Sequence, residues 1–114
     1  MIKLPIKKNK YNARKVYYNG MTFDSNKEFE RYLVLADMEK RGIIRYLRHH
    51  VIYPLFSESE YFKAVKYEAD FVYEMQGQEW VEDVKGMRKG VAYSLFQLNK
   101  RIMFEKYKII VQEI

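Results

Sequence analysis

The stretch that decides the fold is residues 70–85, which read DFVYEMQGQEWVEDVK. Apolar and aromatic residues predict a β-strand on each side of Gln-Gly-Gln (76–78), and that tripeptide predicts a hairpin turn. Because successive side chains of a strand point to opposite faces, Asp83 and Lys85 share one face. Asp70 on the paired strand can reach the same face. The pattern therefore predicts a hairpin that brings together two carboxylates and one ammonium group.

Such a group of side chains can hold a divalent metal ion beside a phosphate. Mg²⁺ prefers carboxylate oxygens and keeps several waters, so one or two protein carboxylates suffice. The metal acidifies a bound water, and Lys85 would hold or activate that attacking water and neutralise phosphate charge. The motif alone favours a blander interpretation, a solvated hairpin face with a cross-strand Asp–Lys pair, because such short patterns are common in charged proteins.

Length and composition indicate one compact domain. The chain has 114 residues, of which 48% are hydrophobic, and the 11 Tyr and 7 Phe can build one core. No apolar run approaches the ~20 residues of a transmembrane helix, and the N-terminus lacks the apolar segment of a signal peptide. The chain has no cysteine, which excludes a disulfide framework and a thiolate metal site. We expect a soluble cytoplasmic protein with no membrane partner.

The charge distribution points to an anionic partner. The net charge is +6, and basic residues are concentrated before the first acid, Asp24. We predict that residues 1–10 form a flexible basic arm whose Lys7, Lys8 and Lys10 bind a phosphate backbone through counterion release. A disordered tail that only improves solubility fits the same residues equally well.

Local patterns along the rest of the chain predict alternating strands and helices. They indicate, in order, a hairpin over 14–23, a helix that starts after Ser25 and ends at Gly42, an extended edge segment over 43–56, strands over 65–74 and 80–85, a helix over 91–106 and a closing strand over 108–113. The order after the hairpin is α-β-β-β-α-β, which predicts an α/β sandwich with a mixed sheet.

Periodicity also predicts which side chains face the core. The first helix should present Phe29, Tyr32, Leu33 and Ala36. The strand over 65–74 should present Val65, Tyr67, Ala69, Phe71 and Tyr73 on one face, with Asp70 on the other. The second helix should present Leu95, Leu98, Ile102 and Phe104.

Several blocks of the sequence carry a resemblance to known nucleases. The blocks are YNARK (11–15), GMTFDSNKE (20–28), RYL (31–33), ADFVY (69–73) and EDVKG (82–86). With the predicted element order, they resemble the PD-(D/E)XK nuclease superfamily. They are most similar to a small phage-encoded family, first catalogued without a function, that is compared with Holliday-junction resolvases. The resemblance implies a restriction-endonuclease-like core and a single nuclease-like domain over residues 11–114.

The resemblance assigns roles to four residues. Asp70 matches the first motif acid, although Ala69 stands where the superfamily has proline. Asp83 matches the second acid and Lys85 the motif lysine, while Glu28 matches the acid that many members bring from the first helix. The implied metal ligands are Asp70, Asp83 and Glu28.

Two acids near these positions have other interpretations. Glu28 also fits a capping box with Ser25, in which its carboxylate bonds to the N-cap amide, so a metal-site role and a capping role both stay open. Glu82 is adjacent to Asp83, but strand parity directs it to the opposite face, so it is not assigned as a ligand. Glu68 would be a solvated strand residue or an accessory acid.

Other residues are candidates for DNA contact. The resemblance places Gln97, Lys100 and Arg101 of the second helix where the superfamily contacts DNA. The loop that contains Arg88 and Lys89 directly follows Lys85 and could clamp phosphate. A solvated surface fits the helix residues equally well.

The two histidines give a weaker signal. His49 and His50 are adjacent before a predicted strand, and neighbouring strand residues point opposite ways. We therefore expect at most one of them, His50, near the site or a substrate phosphate.

The resemblance implies a Mg²⁺- or Mn²⁺-dependent DNA endonuclease of a phage or prophage. Its substrate would be branched DNA, such as a Holliday junction, during recombination or before packaging. A junction has two scissile strands, so such an enzyme would be a symmetric homodimer. A different class also fits the charge and the aromatic content: a non-catalytic nucleic-acid-binding or adaptor protein that keeps the nuclease fold.

Overall fold

The computed structural model describes the backbone of residues 6–8 and 14–114, with side chains from residue 14 onward. The elements in chain order are β1 (Ile6–Lys8), β2 (Arg14–Tyr18), β3 (Met21–Phe23), α1 (Asn26–Lys40), β4 (Arg45–Phe56), β5 (Val65–Met75), β6 (Gln78–Asp83), α2 (Val91–Tyr107) and β7 (Gln112–Glu113). After the small N-terminal sheet the order is α-β-β-β-α-β, as the sequence predicts.

The larger sheet is mixed and has the order β4-β5-β6-β7. Neighbours β4, β5 and β6 are antiparallel, whereas β6 and β7 are parallel. β4 lies at an edge, which agrees with the expectation from Pro54, since proline cannot donate to a strand ladder. The described residues thus form a small α/β domain with a mixed sheet and two helices. Neither helix among the described residues is long and apolar enough to span a membrane.

Two tight turns fix the registers of the hairpins. Asn19 and Gly20, with φ of +52° and +78°, join β2 to β3, and Gln76 and Gly77, with φ of +53° and +76°, join β5 to β6. Two consecutive residues with positive φ match the twist of the flanking strands, as in type I′ turns. The second turn pairs Phe71 with Glu82 as the last pair of this ladder, so Asp70 and Asp83 are the next residues beyond it.

The smaller sheet has the order β1-β2-β3, so Ile6–Lys8 pair with β2 beside the predicted hairpin. This is the part of the predicted basic arm that the structure describes. It places the backbone of Lys7 opposite Lys15 and that of Lys8 opposite Arg14. Lys10 lies outside the described residues.

Within residues 14–114 the core consists of two clusters, each packed against one helix. Phe96 and Met103 of α2 pack with Val72 and Val81 of the sheet. The other cluster joins α1 to the hairpin and the sheet, and it comprises Val16, Phe23, Leu35, Ile44, Phe71 and Tyr73. Because Phe71 and Val72 are successive residues of β5, the helices cover opposite faces of the larger sheet.

The predicted apolar face of β5 is wrong in its second half. Tyr67 and Ala69 pack in the α2 cluster, whereas Phe71 and Tyr73 pack in the α1 cluster. The apolar side of the strand therefore changes between Ala69 and Phe71. Asp70 lies at that change, so strand parity alone cannot give its surroundings.

The predicted core stripe of α2 is also wrong. Leu95 and Leu98 are 57% and 54% exposed, and Phe104 is exposed as well, whereas Phe96 and Met103 are buried. Apolar residues occur nearly all round this helix. Helical periodicity therefore allows a core face with Leu95 and Leu98 as well as one with Phe96 and Met103, and it does not distinguish them. In α1, Leu33 is exposed and Leu35 is buried instead.

Candidate active site

Glu28 links the start of α1 to the sheet. Ser25 is the N-cap residue, and its Oγ accepts a hydrogen bond of 3.1 Å from the Glu28 amide. Glu28 Oε2 accepts a bond of 2.5 Å from the amide of Asp24, one residue before the partner that a capping box predicts. The carboxylate is only 2% exposed. One oxygen therefore serves the helix terminus, and the other faces the sheet.

That second oxygen meets both histidines. Glu28 Oε1 lies 2.8 Å from His49 Nε2 and 3.0 Å from His50 Nε2, and the two imidazole rings are stacked with centroids 3.7 Å apart. The expectation that these neighbours point opposite ways is wrong. His50 has a φ of +56°, in the left-handed region that strand residues rarely adopt. The irregular backbone turns both rings toward Glu28.

Asp70 completes a compact group of possible metal ligands. Its Oδ2 accepts a bond of 2.7 Å from the amide of Val84, which follows β6. One ligand atom each from Asp24, Glu28, His50 and Asp70 lies within 4.8 Å of the others. The structure thus brings two of the predicted site acids, Glu28 and Asp70, together with His50 and with an acid that the sequence did not single out.

Asp83 and Lys85 lie together beside this group. Lys85 Nζ is 2.9 Å from Asp83 Oδ1, and Tyr67 Oη donates a bond of 2.6 Å to Asp83 Oδ2. The Lys85 ammonium also lies 4.0 Å from the centre of the Phe96 ring. Asp83 is 5% exposed, lies outside the ligand group, and has a partner for each of its oxygens. The acid pair of the motif is therefore split between two adjoining clusters.

The electrostatics of the group favour a cation. Burial raises the pKa of Asp70 from 3.8 to about 8, and the charges of Asp83 and Glu28 add to the effect. Burial alone would also raise the pKa of Glu28, but hydrogen bonds from His49 and the Asp24 amide lower it overall. Within residues 14–114, no Lys or Arg side chain forms an ion pair with Glu28 or Asp70. A bound dication would relieve this repulsion.

Glu82 has a structural role on the opposite face. Arg31 of α1 donates two bonds to its carboxylate, from Nε to Oε1 at 2.7 Å and from Nη2 to Oε2 at 2.6 Å. Tyr73 Oη donates a third bond, of 2.5 Å, to Oε2. This arrangement fastens α1 to β6 and confirms that strand parity directs Glu82 away from Asp83.

Glu113 of β7 forms hydrogen bonds with most of the residues of α2 and of the preceding loop that were predicted to contact DNA. It pairs in register with Asp83 and accepts hydrogen bonds from Arg88, Tyr93, Gln97 and Lys100. The bond from Tyr93 is the main cause that lowers the pKa of Glu113 to about 2, followed by the bonds from the two cations. A basic cluster, Arg88 and Lys100, therefore lies next to the Asp83–Lys85 pair.

The other predicted contacts are more scattered. Arg101 pairs with Glu105 at 2.9 Å on the solvent side of α2, and Lys89 is exposed in the loop before that helix. The side chains of Lys7 and Lys8, like Lys10, lie outside the described residues. Sequence reasoning missed Asp24, His49 and Glu113. Asp24 carried a signal, since it lies four residues before Glu28 at the start of a helix, and His49 belongs to the adjacent histidine pair, but nothing in the sequence singled out Glu113.

Comparison with known proteins assigns the chain to a family but does not indicate its function. No curated protein and no solved structure matches the chain. A family model described as "Protein of unknown function (DUF1064)" matches residues 8–113, which include every described residue of the site. Because the match covers nearly the whole sequence, the chain belongs to the DUF1064 family.

Proposed function

We propose that this protein is a metal-dependent DNA endonuclease with a restriction-endonuclease-like core. One observation carries the proposal: the buried carboxylate of Glu28 and the half-buried carboxylate of Asp70 meet without a Lys or Arg counter-ion in the described part of the chain, and the Asp83–Lys85 pair adjoins them. Two carboxylates held together without a Lys or Arg counter-ion repel each other, and they fit a site that holds Mg²⁺ or Mn²⁺. The resemblance to PD-(D/E)XK nucleases assigns the same residues.

The two adjoining clusters would have different roles, one in metal binding and the other in positioning Lys85. Glu28 and Asp70 would hold the metal, which when bound acidifies water and offsets phosphate charge. Asp83 orients Lys85 through the 2.9 Å ion pair, while Tyr67 fixes the carboxylate of Asp83 from the other side. Lys85 then presents an ammonium donor to the attacking water or to a phosphate oxygen.

Positive charge beside the site supports a DNA substrate. Arg88 and Lys100 bond to the side chain of Glu113, whose backbone pairs with Asp83, so they lie beside the proposed centre, where a scissile phosphate would bind. The chain as a whole carries a net charge of +6. Phosphate groups can replace the Glu113 carboxylate as partners of these cations. Branched DNA, including Holliday junctions, is the substrate class that the sequence resemblance implies for a phage enzyme.

A non-catalytic nucleic-acid-binding protein on the same fold is the second candidate. The position of Asp83 favours it, because both oxygens of this motif acid are bonded and neither joins the ligand group. Such a protein would bind DNA through the same cations and would leave every phosphodiester intact.

Incubation of the purified protein with four-way, flap, duplex and single-stranded DNA separates these candidates. Each substrate is tested with Mg²⁺, with Mn²⁺ and with EDTA. We expect paired, symmetric nicks in the four-way junction that depend on the metal. Binding without cleavage under every condition would favour the second candidate and contradict the first.

Replacement of Glu28 by Gln tests whether this acid serves the metal site or only the helix terminus. Gln keeps one oxygen for the Asp24 amide, so the melting temperature should change little. Loss of a charged ligand should reduce cleavage by ~100-fold or more, beyond what is typical for an outer-shell partner. A variant with normal cleavage and an unchanged melting temperature would leave Glu28 with a capping role alone.

The exposed leucines of α2 support the proposed homodimer. Val91, Leu95 and Leu98 recur at helical spacing and are all exposed, so a second copy of the chain is the occupant that the proposed junction substrate requires. We expect the wild-type protein to sediment with twice the mass of one chain. Combined Leu95→Gln and Leu98→Gln should shift it to the single-chain mass, whereas Leu33→Gln on the exposed side of α1 should not. A monomeric wild type would remove α2 as a dimer interface.

A further inference from the structure

We propose that His50 is a nitrogen ligand of the metal centre, with Asp24, Glu28 and Asp70, and that this centre takes Mn²⁺ in preference to Mg²⁺. The inference rests on the proposed function for the location of the centre. It adds a ligand and a metal preference that the nuclease motif does not contain.

The geometry selects His50 rather than His49. The four-residue group of possible ligands contains His50, whose Nε2 lies 3.0 Å from Glu28 Oε1 and 3.9 Å from Asp24 Oδ2. His49 belongs only to a second, three-residue group, with Glu28 and His50, and its ring packs between Phe23 and Phe71, with centroids 4.6 and 5.2 Å away. His49 therefore belongs to the core cluster, while His50 borders the open side of the carboxylates.

Glu68 lies near the second ring nitrogen of His50. The distance from His50 Nδ1 to Glu68 Oε1 is 3.9 Å, on the side of the imidazole ring away from Glu28. Metal-bound histidines commonly direct their second nitrogen to a carboxylate, which keeps the proton on that nitrogen and leaves the other free to bind the metal. At 3.9 Å Glu68 is beyond hydrogen-bond distance in the metal-free protein, where Nε2 contacts Glu28; Glu68 is the acid that would accept the Nδ1 proton once Nε2 binds the metal.

The donor set decides between the two metals. Mg²⁺ is bound through oxygen ligands and waters and has little preference for imidazole. Mn²⁺ binds the same carboxylate ligands as Mg²⁺, but as a first-row transition metal it gains more than Mg²⁺ does from an added imidazole. A site with up to three carboxylates and one imidazole therefore favours Mn²⁺, the member of that series already implied for the proposed activity.

Direct measurement on the DNA-free protein tests the proposal. Mn²⁺ bound to the wild-type protein should show ¹⁴N modulation from one coordinated imidazole in pulsed electron paramagnetic resonance. His50→Asn is the matched variant, because Asn tolerates the left-handed backbone at φ +56° and replaces the nitrogen by a carbonyl oxygen. The ¹⁴N signal should disappear in this variant.

Metal affinities give the second readout. His50→Asn should weaken Mn²⁺ binding by more than ~100-fold, since even outer-shell partners of a metal ligand are worth ~10–100-fold. Binding of Mg²⁺, measured by calorimetry, should change far less. Glu68→Gln should weaken Mn²⁺ binding about tenfold, at the low end of outer-shell effects. Glu79→Gln, which removes an exposed acid of β6 away from the site, should leave both affinities unchanged.

Two results would overturn the proposal: wild-type protein that binds Mn²⁺ without ¹⁴N modulation, or His50→Asn with the wild-type ratio of Mn²⁺ to Mg²⁺ affinity. The ¹⁴N measurement on the wild-type protein tests the proposal even if the His50→Asn variant does not fold. The nuclease proposal fails separately: a protein that shows the His50 signal and cuts no DNA contradicts the nuclease activity and supports the metal site. A protein that cuts DNA without the nitrogen signal does the reverse.

Discussion

Asp70→Asn is expected to abolish DNA cleavage while it raises the melting temperature of the metal-free protein. The carboxylate is a proposed metal ligand, and the metal supplies several kcal/mol of transition-state stabilisation, so its loss should reduce the rate by ~10³-fold or more. Asn keeps an oxygen for the Val84 amide and removes a charge that Asp83 and Glu28 repel. If removal of this charge repulsion raises the free energy of unfolding by ~1 kcal/mol, the melting temperature should rise by about 4 °C in a domain of this size.

The pH dependence of stability should change in the same variant. Burial and neighbouring acids raise the pKa of Asp70 in the folded protein from 3.8 to about 8. Between these values the folded protein keeps a proton that the unfolded chain has lost, so Asp70 lowers stability progressively as the pH rises from about 4 to about 8. Asn does not titrate, and the stability gain of Asp70→Asn over wild type should therefore grow across this range.

Thermal unfolding in EDTA at several pH values measures both effects. Asp37→Asn, at an exposed acid of α1 that pairs with Arg41, is the control and should leave the cleavage rate and the pH profile unchanged. An Asp70→Asn protein that cuts DNA at the wild-type rate would remove Asp70 from the active site. A variant less stable than wild type at pH 8 would contradict the charge repulsion.

Among the variants proposed, Glu82→Ala is expected to lose the most folding stability, and it should keep DNA cleavage. Glu82 is 1% exposed and holds the guanidinium of Arg31, whose side chain is 25% exposed. Removal of one partner of a buried pair typically costs about 3–5 kcal/mol, and the partial exposure of Arg31 reduces the expected loss to about 2–3 kcal/mol. Tyr73 would also lose its hydrogen-bond acceptor.

Urea unfolding of Glu82→Ala and Glu79→Ala checks this prediction. Glu79 belongs to the same strand and pairs with Arg48, but both side chains are largely exposed, so its removal should change the free energy of unfolding by less than ~0.5 kcal/mol. Folded Glu82→Ala should keep DNA cleavage, because Glu82 lies on the face opposite Asp83. Equal stabilities of the two variants would show that the Arg31–Glu82 contact does not fasten α1 to the sheet.

The parts of the fold that were predictable have local causes. Asn19-Gly20 and Gln76-Gly77 adopt positive φ at two successive residues, which sets the hairpin registers. Ser25 caps α1, and Gly42 follows its end with φ of +77°. From the second turn alone, Asp70 and Asp83 could be placed at the same end of the hairpin, on neighbouring strands.

The parts that were missed depend on packing between distant segments. Nothing local indicates that His50 adopts a left-handed backbone, so the convergence of both histidines on Glu28 could not be predicted. The change of apolar side along β5 and the choice of stripe on α2 arise from how the helices cover the sheet. Glu113 gathers its partners because β7 pairs with β6. The split of Asp70 and Asp83 between two clusters likewise needs the full structure.

Metal-dependent hydrolysis of a labelled four-way junction is the most direct measurement of the central claim, that Asp70, Glu28 and Lys85 form a nuclease centre. The assay compares wild type in Mn²⁺, in Mg²⁺ and in EDTA with Asp70→Asn and Lys85→Met in Mn²⁺ at saturating DNA. The account predicts nicks with the wild type and metal, fastest with Mn²⁺, and none with EDTA or with either variant. Cleavage that survives both substitutions, or intact junction with the wild type in both metals, would contradict it.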